Sequence, residues 1–94
     1  MKVVISSRAK NDLAEFVAFI ANDKPRVARN WAARIRKSIS NLSKFPKMGR
    51  VVPEYGDDTI REIVKGNYRI VYKIDNLKKT IVVLAIHHSK RPLV

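Results

Sequence analysis

The residues best equipped for chemistry in this chain are Arg61, Arg69, His88, Lys90 and Arg91, with Glu62 among them. Guanidinium and ammonium groups that converge on one point hold phosphates and stabilise the charge of a phosphorane-like transition state. Cleaving RNA through its 2′-hydroxyl also needs a base, and Glu62 or His88 would serve. The plainer reading pairs Glu62 with a neighbouring cation across a sheet and lets His87 and His88 merely end a strand. Two histidines without supporting carboxylates or cysteines make a poor metal site, and the chain has no cysteine. It has no glycine-rich phosphate loop, no HExxH and no nucleophile elbow. No metal or cofactor is expected.

Strands must position these side chains. Tyr68, Ile70, Tyr72 and Ile74 alternate with Arg69, Val71 and Lys73, a period of two that sends one set to a buried face. Gly66-Asn67 separates this run from Arg61–Lys65. A glycine at the first central position suits a two-residue type II′ turn, which needs positive φ there. Ile81 to Ile86 is wholly apolar, which predicts a central strand covered on both faces. That strand is expected between the first strand and Tyr68–Ile74, releasing His88, Lys90 and Arg91 at its end.

Upstream, Lys2–Ser6 reads as a short strand, and Ser6 or Ser7 as the cap of a helix over Arg8–Ala21. Ala9, Leu13, Phe16, Val17 and Ile20 form that helix's apolar stripe. Asp23 is a candidate cap for a second helix, from Pro25 to about Lys44. Its stripe is Ala28, Trp31, Ala32, Ile35, Ile39 and Leu42, and Trp31 on it reads as core. Arg26, Arg29, Arg36, Lys37 and Lys44 lie broadly opposite. No acidic residue occurs between Asp23 and Glu54, so this face is open to an anionic partner. Pro46, Gly49 and Pro53 then mark a structured loop. The whole predicts one α+β domain over residues 1–94, in the order β-α-α-β-β-β. A helical hairpin packs on a small, mainly antiparallel four-stranded sheet.

Twenty Lys and Arg against eight Asp and Glu give a net charge of +12 on 94 residues. Such a surface attracts polyanions: nucleic acid, an acidic protein, or a nucleoprotein machine. No apolar run approaches the roughly 20 residues of a membrane span, and the first residues do not read as a signal peptide. A soluble cytoplasmic protein with no membrane partner is the expectation.

Three groups of residues carry a family likeness: Ala9-x-x-Asp12-Leu13; Leu42-x-x-x-Pro46-x-x-Gly49-Arg50-x-x-Pro53-Glu54; and Arg61-Glu62, Tyr68-Arg69-Ile70-Val71-Tyr72 and Ile86-x-His88-x-Lys90-Arg91. In this order they resemble the ParE/RelE superfamily of bacterial toxins from type II toxin–antitoxin modules, closest to its ParE branch. The resemblance implies a growth-inhibiting toxin neutralised by a co-encoded acidic antitoxin. ParE-like members bind DNA gyrase and trap its cleaved-DNA complex without catalysing a reaction. RelE-like members cut mRNA on the ribosome. The RelE-like pattern puts lysines where this chain has Ile60 and Glu62, and a tyrosine near the C-terminus where none follows His88. Its strand arginine is matched by Arg69 and its later one by Arg91.

The favoured expectation is therefore a non-enzymatic gyrase poison that contacts its target through Arg26, Arg29, Arg36, Arg61, Arg69, His88, Lys90 and Arg91. The alternative is an mRNA endonuclease using Glu62, Arg69, His88 and Arg91. A third reading is a non-toxic basic binding module.

Overall fold

The computed structural model of the protein describes residues 1–89, so Lys90 and Arg91 lie outside the described residues. The elements run β1 (Lys2–Ile5), α1 (Ser7–Ala21), α2 (Pro25–Asn41), β2 (Arg50–Val51), β3 (Ile60–Lys65), β4 (Tyr68–Asp75) and β5 (Thr80–His88). The strands form one sheet in the order β1-β5-β4-β3-β2. β1 pairs with β5 in parallel, and the other three pairings are antiparallel. The predicted α+β architecture holds, with β5 between β1 and β4. The sheet has a fifth strand beyond the expected four, because two residues of the proline-bounded loop, Arg50 and Val51, pair with Glu62 and Arg61.

Local chemistry explains the helix ends. Ser6 Oγ accepts from the Ala9 N–H and caps α1. Asp23 does not cap α2. Lys24 holds the cap position without a side-chain bond, and Pro25 opens the first turn, where its missing N–H leaves nothing unmet. α2 also stops at Asn41, short of Lys44. Residues 42–44 tighten into bonds to the third residue back, ahead of Pro46, which disfavours helix at Phe45. At the hairpin, Lys65 faces Tyr68 across a two-residue loop. Gly66 has φ +59° while Asn67 is not in the positive region, the signature of type II′ rather than I′.

Both helices pack on one face of the sheet. Phe16, Trp31, Ile35, Ile39 and Leu42 meet Ile70, Tyr72, Ile74, Ile81, Val83 and Ile86 in a single core. Phe16, Trp31 and Tyr68 form an aromatic cluster, with Trp31 and Tyr68 centroids 4.6 Å apart. Trp31 is 7% exposed and belongs to this core.

The apolar run in β5 has buried residues on both faces, as expected, and a bulge inside it. Val71 faces Ala85 but Tyr72 faces Val83, so Leu84 is a bulge. The extra residue switches the pleat's parity. Ile81 and Val83 point into the core before the bulge, and Ile86 points into it after. The helical face is thus served from both parities, while Ala85, paired with Val71, is buried on the other face. The bulge frees backbone groups, and the start of α1 takes them up. Ser6 Oγ donates to the Leu84 carbonyl at 3.0 Å, and Asp12 Oδ2 accepts from the Ile86 N–H at 2.9 Å. Ala9, fully buried between them, lets the helix approach this closely.

Candidate functional site

The loop between α2 and β3 is fastened to the sheet at several points. Tyr72, buried on β4, donates its hydroxyl to the Pro46 carbonyl at 2.7 Å and accepts from the Gly49 N–H at 3.0 Å. Burial raises the Tyr72 phenol above its ordinary pKa, so it stays a donor at neutral pH. Gly49 lies so close that a Cβ there would sit 2.6 Å from the Glu62 carbonyl oxygen and 2.7 Å from the Tyr72 hydroxyl. Arg61 sends Nη1 to the Gly49 carbonyl at 2.9 Å and Nε to the Asp58 carbonyl at 3.0 Å.

On the opposite side of the sheet lies a chain of four charges. Glu62 is fully buried at its side chain. Its Oε2 accepts from Arg50 Nε at 2.7 Å, and its Oε1 accepts from Arg69 Nε at 2.6 Å, with Arg69 Nη2 also in contact. Arg69 continues to Glu54 at 3.4 Å. Burial opposes the Arg69 charge, but Glu62 and Glu54 outweigh it and hold the guanidinium above its ordinary value. Glu54 is held below the usual carboxylate range by its own backbone N–H and then by Arg69.

The residues expected to converge are dispersed. Glu62 and Arg69 meet directly. Arg61 lies on the other face by strand alternation, fixed to loop carbonyls. His88 is half-buried on the helix-facing side, with Tyr68 edge-on at 5.0 Å. It is His87 that stands across from Arg69 on the outer face. Burial, and then the positive charge of Arg8, push the His87 imidazole below its usual pKa. Arg26, Arg29 and Arg36 are exposed and, among the described residues, without an ion pair. Arg36 flanks a shallow groove of about 400 Å³ between the helices, floored by Leu13, Ala14 and Val17. Among the described residues no three His, Cys, Asp or Glu side chains gather as metal ligands would, and no helix is long and apolar enough to cross a membrane.

Composition and periodicity gave no role to Arg50, Glu54 or Asp12, and placed Tyr72 and Gly49 only in a strand and a loop. A signal existed in the scarcity of acids. With eight carboxylates among twenty cations, each acid is apt to be spoken for. Three that fall in the family-like groups, Asp12, Glu54 and Glu62, each hold an element in place.

The chain matches the model of a family described as ParE toxin of the type II toxin–antitoxin system parDE, over residues 3–93. No curated protein sequence matches it. Among solved structures, a chain of a chromosomal ParDE toxin–antitoxin system from P. aeruginosa is similar in fold. Its TM-score is 0.79 at 16% identity, covering 96% of this chain and 97% of that one. A chain of the RelBE2 toxin–antitoxin complex from Mycobacterium tuberculosis is 25% identical with a TM-score of 0.63, covering 93% and 95%. The isolated E. coli RelE toxin has a TM-score of 0.67 at 15% identity, covering 98% of this chain and 87% of that one.

Proposed function

The chain belongs to the ParE toxin family of type II toxin–antitoxin systems, and from that premise we propose that it arrests growth by binding DNA gyrase and trapping the enzyme's cleaved-DNA complex, with no bond made or broken by the toxin itself. The observation that supports this over mRNA cleavage is the state of Glu62. A general base needs a free oxygen within reach of the proton it takes. Both Glu62 oxygens are occupied by guanidinium groups, and its side chain is sealed from solvent. Ile60 occupies the other position where a nuclease lysine would be expected. Arg69, turned onto two carboxylates, has little charge to lend to a scissile phosphate.

The target-binding surface is then the unpaired cationic face of α2, with Arg26, Arg29 and Arg36, together with Arg61, Arg69, His88, Lys90 and Arg91. The free cations supply most of the attraction. Solved relatives from P. aeruginosa and M. tuberculosis are parts of toxin–antitoxin systems, and a cognate acidic antitoxin is the partner that restrains this chain. A +12 toxin meets such a partner faster than a neutral one would, and the advantage shrinks with salt. The module acts in the cytoplasm, where gyrase and DNA are.

The test is purified protein against gyrase. Inhibited supercoiling or accumulated cleaved DNA is expected. Intact gyrase activity at large molar excess, with transcripts broken inside translated codons after induction, would replace this reading with the endonuclease one. Induction without growth arrest would leave only the non-toxic binding module.

A further inference from the structure

Between α2 and the β3–β4 turn lies a cleft of about 540 Å³, on the opposite side of the sheet from the Arg69–Glu62 pair. Arg34, Lys37, Ser38 and Asn41 line one wall. Their spacing of three, four and seven residues puts them on one stripe of the helix. Lys65 and the Gly66-Asn67 turn form the other wall, and Trp31, Ile35 and Tyr68 the floor.

Three cations therefore surround one hollow, and no carboxylate lines it. Among the described residues none of the three has an ion pair. Like charges held together cost stability unless an anion relieves them. At depth sits Ser38, 5% exposed, whose hydroxyl makes no hydrogen bond among the described residues. The contrast with its neighbours is direct. Ser40 and Ser43 bond back to the Lys37 and Ser40 carbonyls, as helical serines commonly do. Among the described residues Trp31 Nε1 is the buried side-chain polar atom without a partner, so the Ser38 hydroxyl is open to the cleft and free to donate to a ligand there.

We propose that this cleft binds a nucleoside monophosphate unit, free or within a single strand, with the phosphate held by Arg34, Lys37, Lys65 and the Ser38 hydroxyl. The volume exceeds what a lone phosphate fills and lies within the 300–1,000 Å³ common for small-molecule sites. Tyr68, the part-exposed ring of the floor, offers an aromatic surface to a base, and the Asn41 and Asn67 amides can bond base or sugar edges. A glutamate side chain would satisfy the cations but cover none of that floor. The inference does not depend on gyrase being the target.

Trp31 is the chain's single tryptophan, so its fluorescence reports on the cleft. Titrating the full chain with adenosine monophosphate should change that fluorescence saturably. Inorganic phosphate should bind more weakly, and a short oligothymidylate more tightly if the natural source is a strand. The double variant K37A/K65A should weaken binding of adenosine monophosphate at least about tenfold through two lost charge-assisted contacts. S38V should weaken it severalfold while keeping the charge. K2A/K78A, which removes the same charge from exposed positions elsewhere, should leave affinity within about twofold. The proposal is overturned by a flat Trp31 signal, by equal weakening in K2A/K78A, or by a glutamate-rich peptide that binds the cleft when the nucleotide does not.

Discussion

Arginine and lysine do opposite things on the two sides of this sheet. On the outer face, Arg50 and Arg69 are joined to Glu62 and Glu54, and the result fastens a loop to the sheet. On the helical side, Arg34, Lys37 and Lys65 surround a hollow with no acid beside them. The charges are alike; their neighbours decide whether they serve the fold or a partner. The difference teaches caution about motif residues. Arg61, Glu62 and Arg69 stand out in the sequence because the loop depends on them, whereas Arg34, Lys37 and Lys65 stand outside every family-like group.

The comparison breaks most decisively at Glu62. Glu62→Ala leaves the largely buried Arg69 with only the half-exposed Glu54, and stability should fall by about 3 kcal/mol, measured by urea unfolding. A cost no larger than that of Lys37→Ala would mean the two faces do not differ. Gly49→Ala tests the same fastening from the loop. Its Cβ must displace either the Glu62 backbone or the Tyr72 ring, at about 2 kcal/mol in the same assay. The next effect is a pH dependence. His87 has a lowered pKa in the fold, so the unfolded chain takes up its proton more readily. The stability this group contributes is present above its ordinary 6.5 and is lost as pH falls through the lowered value. Unfolding midpoints should therefore drift down as pH falls below 6.5, and His87→Gln should flatten that drift. The smallest effect is expected on the helical side. K37A/K65A should change stability by under about 0.5 kcal/mol, since neither side chain has an ion pair among the described residues.

Much of this fold was legible in the sequence because its signals are local. The stripe from Ala28 to Leu42, the alternation from Tyr68 to Ile74 and the Gly66 turn each depend on spacing or on one backbone requirement. Strand order followed from the unbroken apolar run at Ile81–Ile86, which did not reveal the bulge within it. A bulge at Leu84 changes parity inside the run, so Ile81, Val83 and Ile86 all reach the helical core while Ala85 is buried on the other face. The site was less legible. Arg50 reaches Glu62 across 12 residues and Arg69 reaches Glu54 across 15, and no periodicity encodes such pairs. Asp12 bonds Ile86 across 74 residues. Asp23 carried a local signal for a helix cap that Lys24 and Pro25 overrode.

The strand synthesised last of the five lies inside the sheet, between β1 and β4. Until Thr80–His88 clears the ribosome, β1 has no neighbour, and Ser6 and Asp12 have nothing to grip. Contacts that span most of a chain make folding late and slow. A nascent chain stalled before residue 80 therefore presents no finished surface to anything.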